Sequence, residues 1–107
     1  MASYRRVARV DEVPPGTGKV VHVDGAAVAL FNVGGRFHAL DNTCPHQGGP
    51  LGEGFIAGCV VTCPWHFWQF DVTTGAAAEF PEMRIERYAV RIEDDEIHVS
   101  SEPLNQP

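Results

Sequence analysis

Two short motifs, Cys44-Pro45-His46 and Cys63-Pro64-Trp65-His66, stand sixteen residues apart. Each sets one thiol and one imidazole beside a proline, which fixes the local backbone and removes a hydrogen-bond donor. Neither motif fits the interior of a helix or a central strand. The segment that holds them, residues 43–68, contains all three cysteines, two of the five histidines and five of the eleven glycines, at positions 48, 49, 52, 54 and 58. Loops so rich in glycine become ordered when something inside them holds them, and a bound metal does that. An odd cysteine count excludes a fully paired disulfide framework within one chain, and three cysteines in 107 residues are too few for a disulfide scaffold.

The flanks read as strands. Tyr4 to Val10 and Gly18 to Val23 are short Val-rich runs, and Asp24-Gly25 turns the second into Ala26 to Val33. Gly34-Gly35 leads on to Arg36 to Asp41. Near the C-terminus, Tyr88 to Ile92 alternates, Asp94-Asp95 turns, and Glu96 to Val99 returns. Cys59 to Thr62 is one more short strand, with Cys59 expected as a buried bystander thiol. Eleven glycines and eight prolines leave few windows for a helix of normal length. The expectation is an all-β chain of hairpins, one domain over residues 1–107, with a metal-binding loop subdomain at about 43–68 that has little room for regular strands.

Charge excludes whole classes of function. The formal net charge is −6, and no Lys or Arg occurs between Arg36 and Arg84, so the clustered basic side chains that bind phosphate backbones are missing. The N-terminus lacks the apolar core of a signal peptide, and no window approaches the roughly 18 apolar residues of a spanning helix. No nucleic acid, no membrane and a cytoplasmic location are therefore expected.

Two thiolates and two imidazoles can hold a structural zinc, but zinc sites usually group the thiols and then the imidazoles. One of each per loop suits a binuclear centre with both Cys on one iron and both His on the other. At this point the chain resembles the Rieske ferredoxin family, through Cys44-Pro45-His46-Gln47-Gly48-Gly49-Pro50-Leu51, Cys63-Pro64-Trp65-His66, Phe70-Asp71 and Thr74-Gly75. The resemblance implies a Rieske-type fold: a small antiparallel β-sandwich base with a cluster-binding loop subdomain at its tip. It implies one 2Fe-2S cluster per chain, with Cys44 and Cys63 on the inner iron and His46 and His66 on the outer one. Phe80-Pro81 resembles the proline loop that covers the cluster in this family. His22, His38 and His98 have no cysteine nearby and receive no role.

Respiratory members of the family usually carry two further cysteines that tie the cluster loops together, and those are absent. Members that join this domain to a mononuclear iron domain are much longer. The chain is instead similar to the ferredoxin component of ring-hydroxylating dioxygenases, with the small subunit of assimilatory nitrite reductase as the alternative. The implied role is that of a monomeric one-electron carrier, not itself an enzyme, between a flavin-dependent NAD(P)H reductase and a terminal aromatic-ring oxygenase. Trp65 or Phe67 would add an apolar rim around the histidine edges. Phe67 stands where many relatives have Gly, which leaves the local backbone geometry open.

Respiratory members also resemble one another in a Ser and a Tyr two and four residues after the second His, where this chain has Trp68 and Phe70. Hydrogen bonds to cluster sulfur favour the reduced, more negative state, so their loss places the potential toward the low end of the roughly −150 to +300 mV Rieske range. Phe70→Tyr is expected to raise the midpoint potential in voltammetry; no change, or a fall, contradicts this reading.

Overall fold

The structure, a computed structural model, describes residues 3–43, 50–65, 67–80 and 82–104. Nine strands make it up: β1 (Tyr4–Arg9), β2 (Gly18–Val23), β3 (Ala26–Val33), β4 (Arg36–Asp41), β5 (Phe55–Ala57), β6 (Val60–Thr62), β7 (Gln69–Asp71), β8 (Arg87–Glu93) and β9 (Glu96–Pro103). Two short 3-10 turns, Val10–Glu12 and Leu51–Glu53, are the only helical elements among the described residues. All strand pairs are antiparallel. The all-β expectation holds.

Three of the hairpins turn on two residues with positive φ, at Asp24-Gly25, Gly34-Gly35 and Asp94-Asp95. That geometry matches the right-handed twist of the flanking strands, and Asp and Gly tolerate it better than bulkier residues. The hairpins assemble a six-stranded sheet in the order β1-β9-β8-β4-β3-β2. The sheet curls until its edge strands β1 and β2 lie side by side, and Arg5 on β1 reaches Asp24 at 3.0 Å across that seam. The expected sandwich is thus one sheet folded over its own core. β5, β6 and β7 form a second, three-stranded sheet.

β3 links the two. Five consecutive residues, Val28 to Asn32, are buried, so the strand is covered on both faces. Val28 and Leu30 join Val21, Val23, Ala39, Ile97 and Val99 inside the curled sheet. Ala29 and Phe31, one step out of phase, join Leu40, Leu51, Val61, Cys63, Phe70 and Val72 on the other side. β3 and β4 are therefore the common wall of two cores, and the second core reaches into the cysteine loops. Asn32, the polar member of this run, is satisfied: its Nδ2 donates to the Val13 carbonyl at 2.7 Å and its Oδ1 accepts from Gly35 N–H at 2.8 Å.

Two differences from the sequence reading concern the middle of the chain. Strands do form within residues 43–68, but β5 and β6 are three residues each, too short to show a period of two. Cys59 does not open β6. It sits half-buried in the turn behind Gly58, whose φ is +60°, because the chain must reverse there between β5 and β6.

His38 on β4 is half-buried, and burial, with Arg87 next in weight, holds its pKa below the ordinary histidine value of 6.5. A group depressed in the folded state favours folding while neutral, and that stability is lost as pH falls below about 6.5 toward the folded value. His38→Gln removes this proton uptake. Denaturant titrations should give a stability difference between the two proteins that is flat above neutrality and shifts in favour of the variant below about pH 6.5; parallel pH profiles would refute it.

Candidate metal centre

The first loop begins and ends on Asn42. This buried residue accepts the Leu51 N–H on its backbone carbonyl at 2.7 Å and the Gly52 N–H on its side-chain Oδ1 at 2.7 Å. Thr43 and Pro50 form an antiparallel bridge just above. Residues 42–43 and 50–52 are therefore tied together by two hydrogen bonds and a bridge. Cys44 and His46 belong to the stretch between them and lie outside the described residues, as does His66 in the second loop.

The second loop rises from the β6–β7 hairpin. Cys63 N–H donates to the Trp68 carbonyl at 2.8 Å, and Gln69 Nε2 donates to Thr62 Oγ1 at 3.2 Å, closing the turn at its foot. Cys63 itself is wholly buried, in one apolar cluster with Leu51, Val61 and Phe70. Leu51 leaves the first loop and Cys63 enters the second, so a single core anchors both.

Glycine makes the close approach between the stems. Gly54 follows the Leu51–Glu53 turn, and a Cβ added there would collide with the Thr62 carbonyl oxygen. Thr62 immediately precedes Cys63 and pairs with Phe55. Any side chain at 54 would push the first loop's exit away from the second loop's entry. Gly52 is equally confined, with Val20 Cγ2 at 2.7 Å and Asn42 Oδ1 at 3.0 Å from a built Cβ.

Phe67 takes up the left-handed conformation, φ +59°. For a residue with a Cβ this costs about 1–2 kcal/mol. The position thus has the backbone glycine would adopt freely, while the ring stands 70% exposed. Trp65, Phe80 and Phe55 are exposed as well, at 49%, 47% and 67%. Both residues considered for an apolar rim, Trp65 and Phe67, are on the surface.

A third segment, residues 76–84, lies against the second loop. Ala78 N–H donates to the Gln69 carbonyl at 2.9 Å, Ala77 N–H to Met83 at 2.8 Å, and Met83 N–H to Phe80 at 2.8 Å. Phe80 stacks on Trp68 with ring centroids 5.6 Å apart and 27° between planes. Pro81, the other half of the Phe80-Pro81 pair, lies outside the described residues.

Of the four expected ligands, the described structure thus contains Cys63. Its surroundings suit a thiolate ligand of a cluster: it is wholly buried among apolar residues, between two loop stems fixed by backbone hydrogen bonds. Among the described residues no three His, Cys, Asp or Glu side chains gather, so His22, His38 and His98 do not form a second centre there. Asn42 and Gly54 escaped the sequence reading. An Asn directly before a cysteine loop is a recognisable local acceptor, whereas Gly54 carries no signal until β5 is seen to pair with β6.

Residues 3–97 match the Rieske [2Fe-2S] domain. Over 96 residues, 89% of this chain and 92% of the relative, the sequence is 36% identical to the ferredoxin component of the naphthalene 1,2-dioxygenase/salicylate 5-hydroxylase systems of a Ralstonia species. Among solved structures, the complex of reduced oxygenase and oxidised ferredoxin in carbazole 1,9a-dioxygenase contains a chain that superposes with a TM-score of 0.88 at 31% identity, covering 96% of this chain and 97% of that one. A Mycobacterium tuberculosis protein assigned as the small subunit of NADH-dependent nitrite reductase gives the same TM-score at 24% identity, over 97% of this chain and 99% of its own, and shares the fold.

Asn42→Ala would strand the buried Gly52 N–H and should lower unfolding free energy by about 1–3 kcal/mol. Asn42→Asp keeps the acceptor and should recover most of the loss. Denaturant midpoints test both; an Ala variant as stable as the parent would show that the stem does not depend on this bond.

Proposed function

Because the chain belongs to the Rieske [2Fe-2S] domain family, we propose that it is a one-electron carrier, passing electrons from a flavin-dependent NAD(P)H reductase to the terminal oxygenase of an aromatic-ring dioxygenase system. The observation that carries this reading is near full-length similarity to a dioxygenase ferredoxin component, combined with a core that holds Leu51, just after the first cysteine loop, and Cys63 together. A Rieske domain implies a 2Fe-2S cluster, and such a cluster supplies reversible transfer of one electron. Cys44 and Cys63 would hold the inner iron as thiolates, and His46 and His66 the outer one through neutral imidazole, one cluster per chain.

The chain's own residues perform the remaining tasks. Asn42, Gly54 and the Cys63–Trp68 backbone bond hold the loops in place. The buried core of Leu51, Val61 and Phe70 would shield the Cys63 side of the cluster from water. Burial without hydroxyl donors at 68 and 70 supports a potential at the low end of the Rieske range, matched to electrons from NADH. The exposed aromatic residues give a small apolar surface suited to transient docking. No helix among the described residues is long and apolar enough to cross a membrane, and the proposed carrier works as a cytoplasmic monomer, a single domain over residues 1–107 with its cluster subdomain at about 43–68.

The shared fold with the nitrite reductase small subunit supports a second reading, in which this chain is a fixed relay inside a larger reductase. Reconstitution decides between them. NADH-driven oxidation of naphthalene or carbazole by reductase and terminal oxygenase should require the chain and stop with Cys63→Ser. Failure to couple, together with stable co-elution with a nitrite reductase large subunit in gel filtration, would replace the carrier by the relay.

A further inference from the structure

Beside the second cysteine loop is a cavity of about 250 Å³ lined by Phe67, Trp68, Gln69, Ala77, Glu79 and Phe80. Its walls have an unusual chemical bias. Three of the six lining residues are aromatic, and Trp68 and Phe80 are stacked on one another. Phe67 stands apart from that stack, brought there by a backbone conformation that its side chain disfavours. The polar groups are Glu79, an exposed carboxylate, and the side chain of Gln69, whose Nε2 donates to Thr62 Oγ1 and whose Oε1 is an acceptor. No Lys or Arg lines the cavity. It offers π faces and hydrogen-bond acceptors together.

That combination selects a planar, donor-rich cation. An aromatic face attracts a cation through its quadrupole, a carboxylate pairs with it, and a guanidinium does both at once because it stacks flat while its edge donates. An ammonium satisfies the charge but not the stacking. A neutral apolar side chain would leave Glu79 unanswered. No Lys or Arg is among the described residues that line the cavity, Arg84 lying at the end of the neighbouring segment in a bridge with Ala76, and the net charge of −6 favours a basic visitor.

We propose that this notch receives an arginine side chain from the redox partner, its guanidinium held among the aromatic walls of Phe67, Trp68 and Phe80 and bonded to the Glu79 carboxylate and the side-chain Oε1 of Gln69. The inference rests on the carrier reading, because the notch opens beside the loop that bears Cys63. One inserted arginine would fix the partner's orientation over that loop, while the small surrounding contact keeps the complex short-lived.

The test uses the cluster-loaded protein labelled with 5-fluorotryptophan, the Trp68 resonance being identified with Trp65→Phe. N-acetyl-arginine amide and N-acetyl-leucine amide serve as probes. The arginine probe should displace the Trp68 fluorine signal saturably and the leucine probe should not. Glu79→Gln should weaken arginine binding about two- to fivefold, the range expected of an exposed charge pair. Phe67→Gly, which retains the left-handed backbone and removes a wall, should weaken it as well. Equal response to both probes, or arginine binding indifferent to both substitutions, overturns the notch. The EPR signal of the reduced protein reports on the carrier reading separately: a loaded protein deaf to arginine overturns the notch alone, and a protein without the cluster that still binds arginine overturns the carrier alone.

Discussion

Everything near the cysteine loops depends on β3 being buried on both faces. A strand with one wet face could support only the curled base. With Val28 and Leu30 facing one core and Ala29 and Phe31 the other, β3 makes the base a rigid floor for a second layer. A fully buried apolar side chain contributes about 1.5–3 kcal/mol, so Phe31, Leu40, Leu51 and Phe70 together outweigh any single loop contact. The short β5–β6–β7 sheet, which would be marginal alone, is stable because it rests on that floor.

From this follows a division of labour. Hydrophobic burial places the loop stems, backbone hydrogen bonds set their separation, and glycine permits their closest approach. The aromatic residues left over at the tip stay exposed, where they serve recognition instead of stability. Charge follows the same division: Glu93, Asp94, Asp95 and Glu96 lie on the β8–β9 hairpin of the base, whereas the described residues lining the cavity beside the second loop include one carboxylate, Glu79, and no Lys or Arg. A carrier needs a fixed electron site beneath a surface that binds weakly, and this arrangement separates the two.

Much of this was legible in the sequence. The long hairpins announced themselves through alternation and through Asp-Gly and Gly-Gly turns, and β1 to β4, β8 and β9 fall where those signals lie. The paired Cys-Pro motifs indicated the family. What remained hidden had physical reasons. β5 and β7 are three residues long and exist because a tertiary partner stabilises them, which no local pattern records. Cys59 looked like strand because its neighbours are β-branched, yet the positive φ of Gly58 makes it part of a turn. The left-handed backbone at Phe67 could not be anticipated from a residue type that avoids it. Asn42 was recognisable as a local acceptor, but its partner Gly52 was not.

The central claim is that the two cysteine loops together hold a Rieske 2Fe-2S cluster. Low-temperature EPR of the dithionite-reduced protein tests it most directly. The account predicts a rhombic signal with a low average g value that disappears in Cys63→Ser and in His66→Ala. A colourless protein with no signal and stoichiometric zinc would contradict it.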